Sequence, residues 1–165
     1  GVLGLDAAAA PLVLARCRGD RQPWLPLDWL QADATATGLA SASLDGATMA
    51  YGLRNLPDPA AALQELRRLL RPGARAAVLD FRHIEAQLSW DEGLRQRFQQ
   101  LYLRQVVVPA ARFSGLEAQY AYLERSLERF PSADRLCALA QQAGFRAVHH
   151  RPLAAGLMGL LELEA

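Results

Sequence analysis

The feature that most constrains the fold is the alternation of short apolar runs with helix-forming segments along the chain. Four apolar segments have the length and composition of buried strands. They are Val2–Leu5, Leu27–Leu30, Ala47–Ala50 and Arg75–Phe81. Strand and helix alternate without a long strand-only run, and this pattern predicts an α/β domain with a doubly wound, mostly parallel sheet covered on both faces.

The helices between these strands have recognisable ends. Ala7–Arg18 predicts the first helix, and Asp58 followed by Pro59 predicts the N-cap and first residue of the next. Pro72-Gly73 is expected to end that second helix. The small residues of Thr35–Ser43 predict a connection with one helical turn.

The second half of the chain predicts a helical region over 84–131, followed by one helix and two strands. The helix is expected from Ser132 to Gly144, and the strands at Phe145–Leu153 and Leu157–Leu163. Without a repeat or a linker, residues 1–165 are predicted to form a single domain, with 84–131 as a lid or substrate region.

Composition excludes little. The net charge is +1, and the 18 basic residues, all arginine, are mixed with acids, so no nucleic-acid partner is expected. Cys17 and Cys137 are far apart without metal-ligand spacing, so we expect no metal site. No apolar run approaches the ~18 residues of a membrane span, so the chain is expected to be soluble or peripheral.

Polar side chains follow the first two strands. In an open parallel sheet, ligands bind beyond the carboxyl ends of the strands. Asp6 could bind both ribose hydroxyls of a nucleotide, or act instead as an N-cap for the following helix. The Asp33 carboxylate could accept an adenine amino proton while the Ala34 N–H meets the ring, or Asp33 could simply form a turn.

The third and fourth strands also end in polar groups. Gly52 allows close backbone approach or a positive φ, and Arg54 and Asn55 follow it as a guanidinium and an amide. A solvated turn would explain the same residues. His83, after the fourth strand, is either a general base or a surface-loop histidine. Trp24, which falls in a loop, is most simply core or partly buried packing.

Several collinear motifs resemble the UbiE/MenG family of S-adenosylmethionine (SAM) dependent quinone C-methyltransferases. The segment Tyr51–Asp58 resembles the family's (F/Y)GLRN-x-x-D signature, and Gly4–Asp6 and Gln31–Ala34 resemble its acidic and adenine motifs. Leu69–Gly73 resembles its L-K-P-G motif, and the block Tyr120–Pro131 its Y-x-Y-L-x-x-S-x-x-x-F-P motif. The matches extend over nearly the whole chain.

The resemblance implies a class I, Rossmann-like methyltransferase fold with an antiparallel last strand, and SAM as cofactor. It implies that Arg54 and Asn55 orient the acceptor ring. The implied cofactor-binding residues are Asp6, Asp33, Ala34, Ala50, Tyr51 and Gly52, with Ala50 acting through its backbone. The implied substrate-binding residues, in an apolar groove, are Tyr102, Tyr120 and Tyr122.

Finer features are similar to the branch of the family that methylates demethylphylloquinol, a prenylated naphthoquinol, to phylloquinol in phylloquinone/menaquinone biosynthesis. They are Asp45–Met49, Val106–Ala110 and Gly156–Gly159. A lipid-tailed substrate implies transient membrane-surface contact, with a cytoplasmic protein peripheral to the thylakoid membrane. The motifs do not indicate the oligomeric state.

The family's first strand and glycine-rich loop have no counterpart here, because the chain opens at Gly1 directly into an apolar run. We therefore expect an N-terminally truncated chain that lacks the central strand of the sheet and alone binds SAM poorly. Two alternatives stay open: an NAD-dependent Rossmann oxidoreductase, whose ribose Asp6 would serve equally well, and a non-catalytic remnant of a methyltransferase.

Overall fold

The computed structural model describes residues 1–82, 126 and 129–165. The six strands in this part of the chain are β1 (Val2–Asp6), β2 (Leu27–Gln31), β3 (Leu44–Ala50), β4 (Leu70–Phe81), β5 (Ala147–Leu153) and β6 (Met158–Glu164). The helices are α1 (Ala9–Gly19), α2 (Pro59–Leu69) and α3 (Ala133–Gln142), with 3₁₀ turns at Leu53–Asn55 and Ala154–Gly156.

The strands form two sheets. One contains β1 and β2, which pair in parallel with Asp6 opposite Gln31. The other has the order β3-β4-β6-β5. In it β3 and β4 are parallel, whereas β6 is antiparallel to both of its neighbours. The predicted α/β class and the antiparallel last strand are therefore confirmed.

Helix α2 begins where the sequence predicts. Asp58 is its N-cap, and its carboxylate accepts hydrogen bonds from the backbone N–H groups of Ala60 and Ala61, at 2.9 and 3.1 Å. Pro59 occupies the first helical position, where its missing N–H costs nothing. This cap fixes the direction in which the preceding turn, residues 53–55, enters the helix.

The predicted end of α2 is wrong. The helix stops at Leu69, and β4 already begins at Leu70, so Pro72-Gly73 lies within the strand. Leu70 is fully buried and pairs with Leu44, and the register then shifts before Gly46 pairs with Arg75. Burial of Leu70 and its pairing with β3 therefore override the turn-forming preference of the Pro-Gly pair.

Three other expectations need correction. Helix α1 begins at Ala9 rather than Ala7, because Ala8 is extended. The connection over 35–43 contains no helical turn. Trp24 is 72% exposed, not core, whereas the ring of Trp29 lies over Gly4, where a Cβ atom would overlap it.

The C-terminal helix also has the predicted caps. The Ser132 hydroxyl accepts a hydrogen bond from the Arg135 N–H, and Gly144 takes a φ of +91° just beyond the end of α3. Strand β6 then alternates buried and half-buried residues along its length. One apolar cluster joins the second sheet to α2 and α3, and its most buried members are Leu53, Leu63, Leu70, Ala140 and Leu161.

Several predictions lie outside the described residues. They concern the lid helices within 84–131, the candidate base His83, and the substrate residues Tyr102, Tyr120 and Tyr122. In the part of the chain that is described, no helix is long and apolar enough to cross a membrane.

Candidate active site

The turn after β3 is strained at Tyr51. Tyr51 has a φ of +57°, a conformation that is unfavourable for a residue with a side chain. Of the two roles considered for Gly52, the positive φ is absent, since its φ is −100°. Gly52 instead makes room for the Met49 side chain, whose Cγ would lie 3.0 Å from an added Cβ atom. The positive φ therefore lies at Tyr51, one residue before the glycine.

In this turn the two predicted catalytic side chains donate hydrogen bonds to the same carbonyl oxygen. Arg54 Nη1 and Asn55 Nδ2 both donate to the Tyr51 carbonyl oxygen, each at 2.9 Å. The Tyr51 ring lies 5.3 Å from the Phe81 ring, and the Arg54 guanidinium lies over Phe81 at 5.5 Å. The strained turn thus fixes Arg54 and Asn55 side by side.

Asp80, near the end of β4, lies under this turn. Its Oδ2 accepts the Arg54 backbone N–H at 3.1 Å, and its Oδ1 accepts the Phe81 N–H at 2.9 Å. Arg54 Nη1 also forms an ion pair with Oδ1 at 3.5 Å. Burial raises the pKa of the Asp80 carboxyl, while the backbone N–H groups and the Arg54 charge oppose that rise.

Arg54 and Asn55 open onto a cavity of about 450 Å³. Its other walls come from the start of α2 and from the described residues before α3. They are Leu56, Pro57, Pro59, Ser126, Arg129, Phe130 and Pro131. A guanidinium and an amide beside mainly apolar walls suit a flat apolar ring that carries oxygen atoms.

Asp6 lies at the carboxyl end of β1 and is exposed. Its Oδ1 accepts the Ala8 N–H at 2.8 Å, but the N-cap of α1 is Ala8, so the N-cap role considered for Asp6 is wrong. Within the described part of the chain, Oδ2 accepts no hydrogen bond. This oxygen is therefore available to a sugar hydroxyl.

Asp33 follows β2 and forms a turn. Its Oδ1 accepts both the N–H and the hydroxyl of Thr35 at 2.8 Å, and these bonds lower the pKa of the carboxyl. The turn-forming role considered for Asp33 is therefore present. It leaves Oδ2 exposed, so the same side chain can still accept an amino proton from a ligand.

The structure brings only some of the predicted site residues together. Tyr51, Gly52, Arg54 and Asn55 form one turn, and Asp6 lies next to the start of the Asp33 loop because the Ala32 N–H donates to the Asp6 carbonyl. Asp6, Asp33, Ala34 and Ala50 do not line the 450 Å³ cavity. One shared cleft for both groups therefore stays a prediction.

Sequence reasoning placed the Asp80–His83 segment at a strand end where ligands bind, but it gave no site role to Asp80, Phe81 or Arg129. Asp80 and Phe81 were visible as a polar group and an aromatic ring at a strand end, but nothing local links them to Arg54, which is 26 positions away from Asp80. The parallel pairing of β3 with β4 makes that link, since Ala50 lies opposite Leu79.

Several solved structures with the same fold are SAM-dependent methyltransferases. A SAM-dependent methyltransferase from Aquifex aeolicus matches with a TM-score of 0.65 at 15% identity, over 99% of this chain and 68% of that one. Phosphoethanolamine N-methyltransferase 2 of Haemonchus contortus, solved with SAM, matches with a TM-score of 0.65 at 14% identity, over 92% of this chain and 29% of that one. The fold is that of the SAM-dependent methyltransferases.

The sequence places the chain more narrowly. Residues 1–161 match the ubiE/COQ5 methyltransferase family, and the chain belongs to that family. It is therefore a SAM-dependent methyltransferase by family.

Curated relatives carry a more specific name. The chain is 50% identical to the 2-phytyl-1,4-naphthoquinone methyltransferase of Thermosynechococcus vestitus, over 96% of this chain and 67% of the relative. It is 43% identical to that of Synechocystis, over 99% and 66%, and 32% identical to that of Arabidopsis thaliana, over 97% and 60%. The chain thus spans about two thirds of the length of these relatives.

The two carboxylates that follow β1 and β2 fit the nucleoside part of SAM. A ribose offers two hydroxyl donors, and an adenine offers amino protons, so both prefer carboxylate acceptors. Asp6 and Asp33 each keep one oxygen without a hydrogen bond among the described residues, and both are exposed. These two side chains would hold the nucleoside part of the cofactor.

Proposed function

We propose that this protein transfers a methyl group from SAM to a ring carbon of a prenylated naphthoquinol, converting demethylphylloquinol to phylloquinol. Family membership supports the methyl transfer. The names of relatives at 32–50% identity support the naphthoquinone ring and the phytyl tail.

The observation that carries the proposal is the cavity beside Arg54 and Asn55. Its 450 Å³ is large enough for a bicyclic ring, and its walls are mainly apolar. Arg54 and Asn55 lie side by side on one wall, where they can donate hydrogen bonds to the ring oxygens.

Arg54 and Asn55 act by orientation and charge. Bound SAM would supply an electrophilic methyl group and leave as S-adenosylhomocysteine. Loss of a phenolic proton makes the neighbouring ring carbon nucleophilic, and this carbon loses its hydrogen as a proton once it carries the methyl group. Arg54 holds the developing quinolate oxygen, because a guanidinium stays charged and can donate a charge-assisted hydrogen bond to it. Asn55 fixes the ring in plane, so that the reacting carbon faces the donor.

Arg54 does not take the proton itself, because a guanidinium stays protonated in proteins and cannot act as a base. His83 stays the candidate base. The tyrosines at 102, 120 and 122 stay the candidates for the wall of the tail groove. All four residues lie outside the described part of the chain.

The membrane contact and the location follow from the substrate. A phytyl chain partitions strongly into lipid, so the enzyme must collect its acceptor from a membrane surface. We therefore place the protein in the cytoplasm with transient contact at the thylakoid surface. The NAD-dependent alternative is set aside by the family match. The non-catalytic remnant stays a possible outcome of the assay.

A methylation assay tests this function. The complete protein is incubated with labelled SAM and 2-phytyl-1,4-naphthoquinone, either reduced with dithionite or kept oxidised. We expect label in the methylated product only with the reduced acceptor, because only the quinol has a nucleophilic ring carbon. Equal transfer to both forms would contradict the mechanism. Absence of transfer to either form would contradict the function and favour a remnant.

A further inference from the structure

Asp80 is a buried carboxylate for which the methyl transfer described above has no use. Only 3% of the residue is exposed, and it is one of three buried polar residues among those described. Taking a carboxylate out of water costs several kcal/mol unless hydrogen bonds and a counter-charge compensate. Such a group suggests a specific task, because an apolar side chain would fill the same space at lower cost.

All the partners described for Asp80 belong to one neighbourhood. Oδ2 accepts the Arg54 N–H at 3.1 Å, which fixes the backbone of the 3₁₀ turn. Oδ1 accepts the Phe81 N–H at 2.9 Å and lies 3.5 Å from Arg54 Nη1. Asp80 therefore contacts Arg54 twice, once at the backbone and once at the guanidinium.

The remaining contacts of Arg54 leave its guanidinium dependent on this carboxylate. Nη1 also donates to the strained Tyr51 carbonyl, and the guanidinium face lies over the Phe81 ring. Nε is buried and has no hydrogen-bond partner among the described residues. Asp80 is the only acidic side chain that pairs with Arg54 in the described structure, so it sets both the position and the charge balance of this arginine.

We propose that Asp80 is a positioning residue, which holds Arg54 in the orientation that meets the acceptor oxygen in the 450 Å³ cavity. This inference rests on the proposed function, because it acts through the role of Arg54 there. Asp80 does not contact substrate in this scheme. Its removal should impair the methyl-transfer step more than the binding of SAM.

The test compares Asp80→Asn, Asp80→Glu and the control Asp45→Asn in the complete protein. Asp45 is also an aspartate paired with an arginine, Arg71, but its side chain is 83% exposed. We expect Asp80→Asn to lower kcat by roughly 10- to 100-fold with the KM for SAM within about threefold. Asp80→Glu should recover part of that loss, because it restores the charge, and Asp45→Asn should match wild type.

A double mutant separates positioning from a merely structural role. If Asp80 acts through Arg54, adding Asp80→Asn to Arg54→Ala lowers kcat little further. Full additivity of the two losses, or a kcat of Asp80→Asn within about threefold of wild type, would overturn the proposal. If Asp80→Asn melts below the assay temperature, Asp80→Glu and its Arg54→Ala double mutant carry the same comparison. Wild-type transfer to the quinol is measured alongside, so that failure of the proposed function is seen separately.

Discussion

At the scale of single residues, the site depends on a backbone conformation that costs free energy. A non-glycine residue in the left-handed region costs on the order of 1 kcal/mol or more. Tyr51 adopts this conformation at the end of β3, and its carbonyl then accepts from both Arg54 and Asn55. The parallel strand β4 stabilises the turn, because the Tyr51 N–H donates to the Leu79 carbonyl at 2.8 Å.

Asp58 gives a prediction at this scale, because it caps the helix that follows the turn. Asp58→Ala should lower the free energy of unfolding by about 1 kcal/mol, since two backbone N–H groups lose their acceptor. Asp58→Asn is the matched control and should lose much less, because its amide oxygen can accept the same bonds. Urea denaturation of the three proteins measures the difference, and equal losses for both variants would contradict the capping role.

How far the sequence predicts the site depends on how local each signal is. The Asp58 and Ser132 caps, the Gly144 terminus and the Arg54–Asn55 pair are all visible within a few positions. The positive φ at Tyr51 is not visible in this way, because a non-glycine residue gives no sign of it in the sequence. The contact of Asp80 with Arg54 is set by strand register, which no short motif encodes.

At the scale of secondary-structure elements, Glu65 on α2 ties down the loop that carries Asp33. Its Oε1 accepts the N–H and the hydroxyl of Thr37 at 2.9 and 2.6 Å. Arg68, one turn along α2, donates to both Glu65 oxygens at 2.7 and 2.8 Å, and to the Leu39 carbonyl at 2.7 Å. The loop is therefore anchored to the helix next to the Arg54 turn.

The contribution of Glu65 to the stability of the fold depends on pH, and this dependence can be measured. Hydrogen bonds from Arg68, followed by those from Thr37, lower the pKa of Glu65 from 4.5 to about 2. A carboxyl with a lowered pKa in the folded state stabilises the fold above its unfolded pKa. This contribution is complete above about pH 5 and is lost as the pH falls from 4.5 towards 2.

Glu65→Gln should therefore lower the free energy of unfolding at pH 7 by about 2 kcal/mol, because charge-assisted bonds are lost. The difference in the free energy of unfolding between the variant and wild type should become smaller as the pH falls below 4.5. Chemical denaturation at pH 7 and pH 4 measures it. The exposed Asp45→Asn variant is the control and should show no comparable difference. If the difference for Glu65→Gln stayed constant or increased at acid pH, the proposed role of the Glu65 carboxylate would be contradicted.

At the scale of the whole molecule, the described strands form two separate sheets. In this part of the chain β1 pairs only with β2, and β3 pairs only with β4. Apolar side chains on β1 and α1, including Val2, Val13 and Leu14, are exposed.

The division into two sheets also divides the chemistry. Asp6 and Asp33, the carboxylates suited to the nucleoside, lie at the ends of β1 and β2. Arg54 and Asn55, suited to the acceptor ring, follow β3. A change at Arg54 should therefore impair methyl transfer to the acceptor and leave binding of the nucleoside part of SAM intact.

The most direct measurement is the comparison of methyl transfer with SAM affinity in Arg54→Ala, made in the complete protein. Loss of a charged donor at a developing oxyanion costs roughly 100- to 1,000-fold in kcat. We expect that loss in transfer to the naphthoquinol, with the Kd for SAM from calorimetry within several-fold of wild type. Transfer at the wild-type rate, or a Kd for SAM raised by far more than tenfold in a folded variant, would contradict the account.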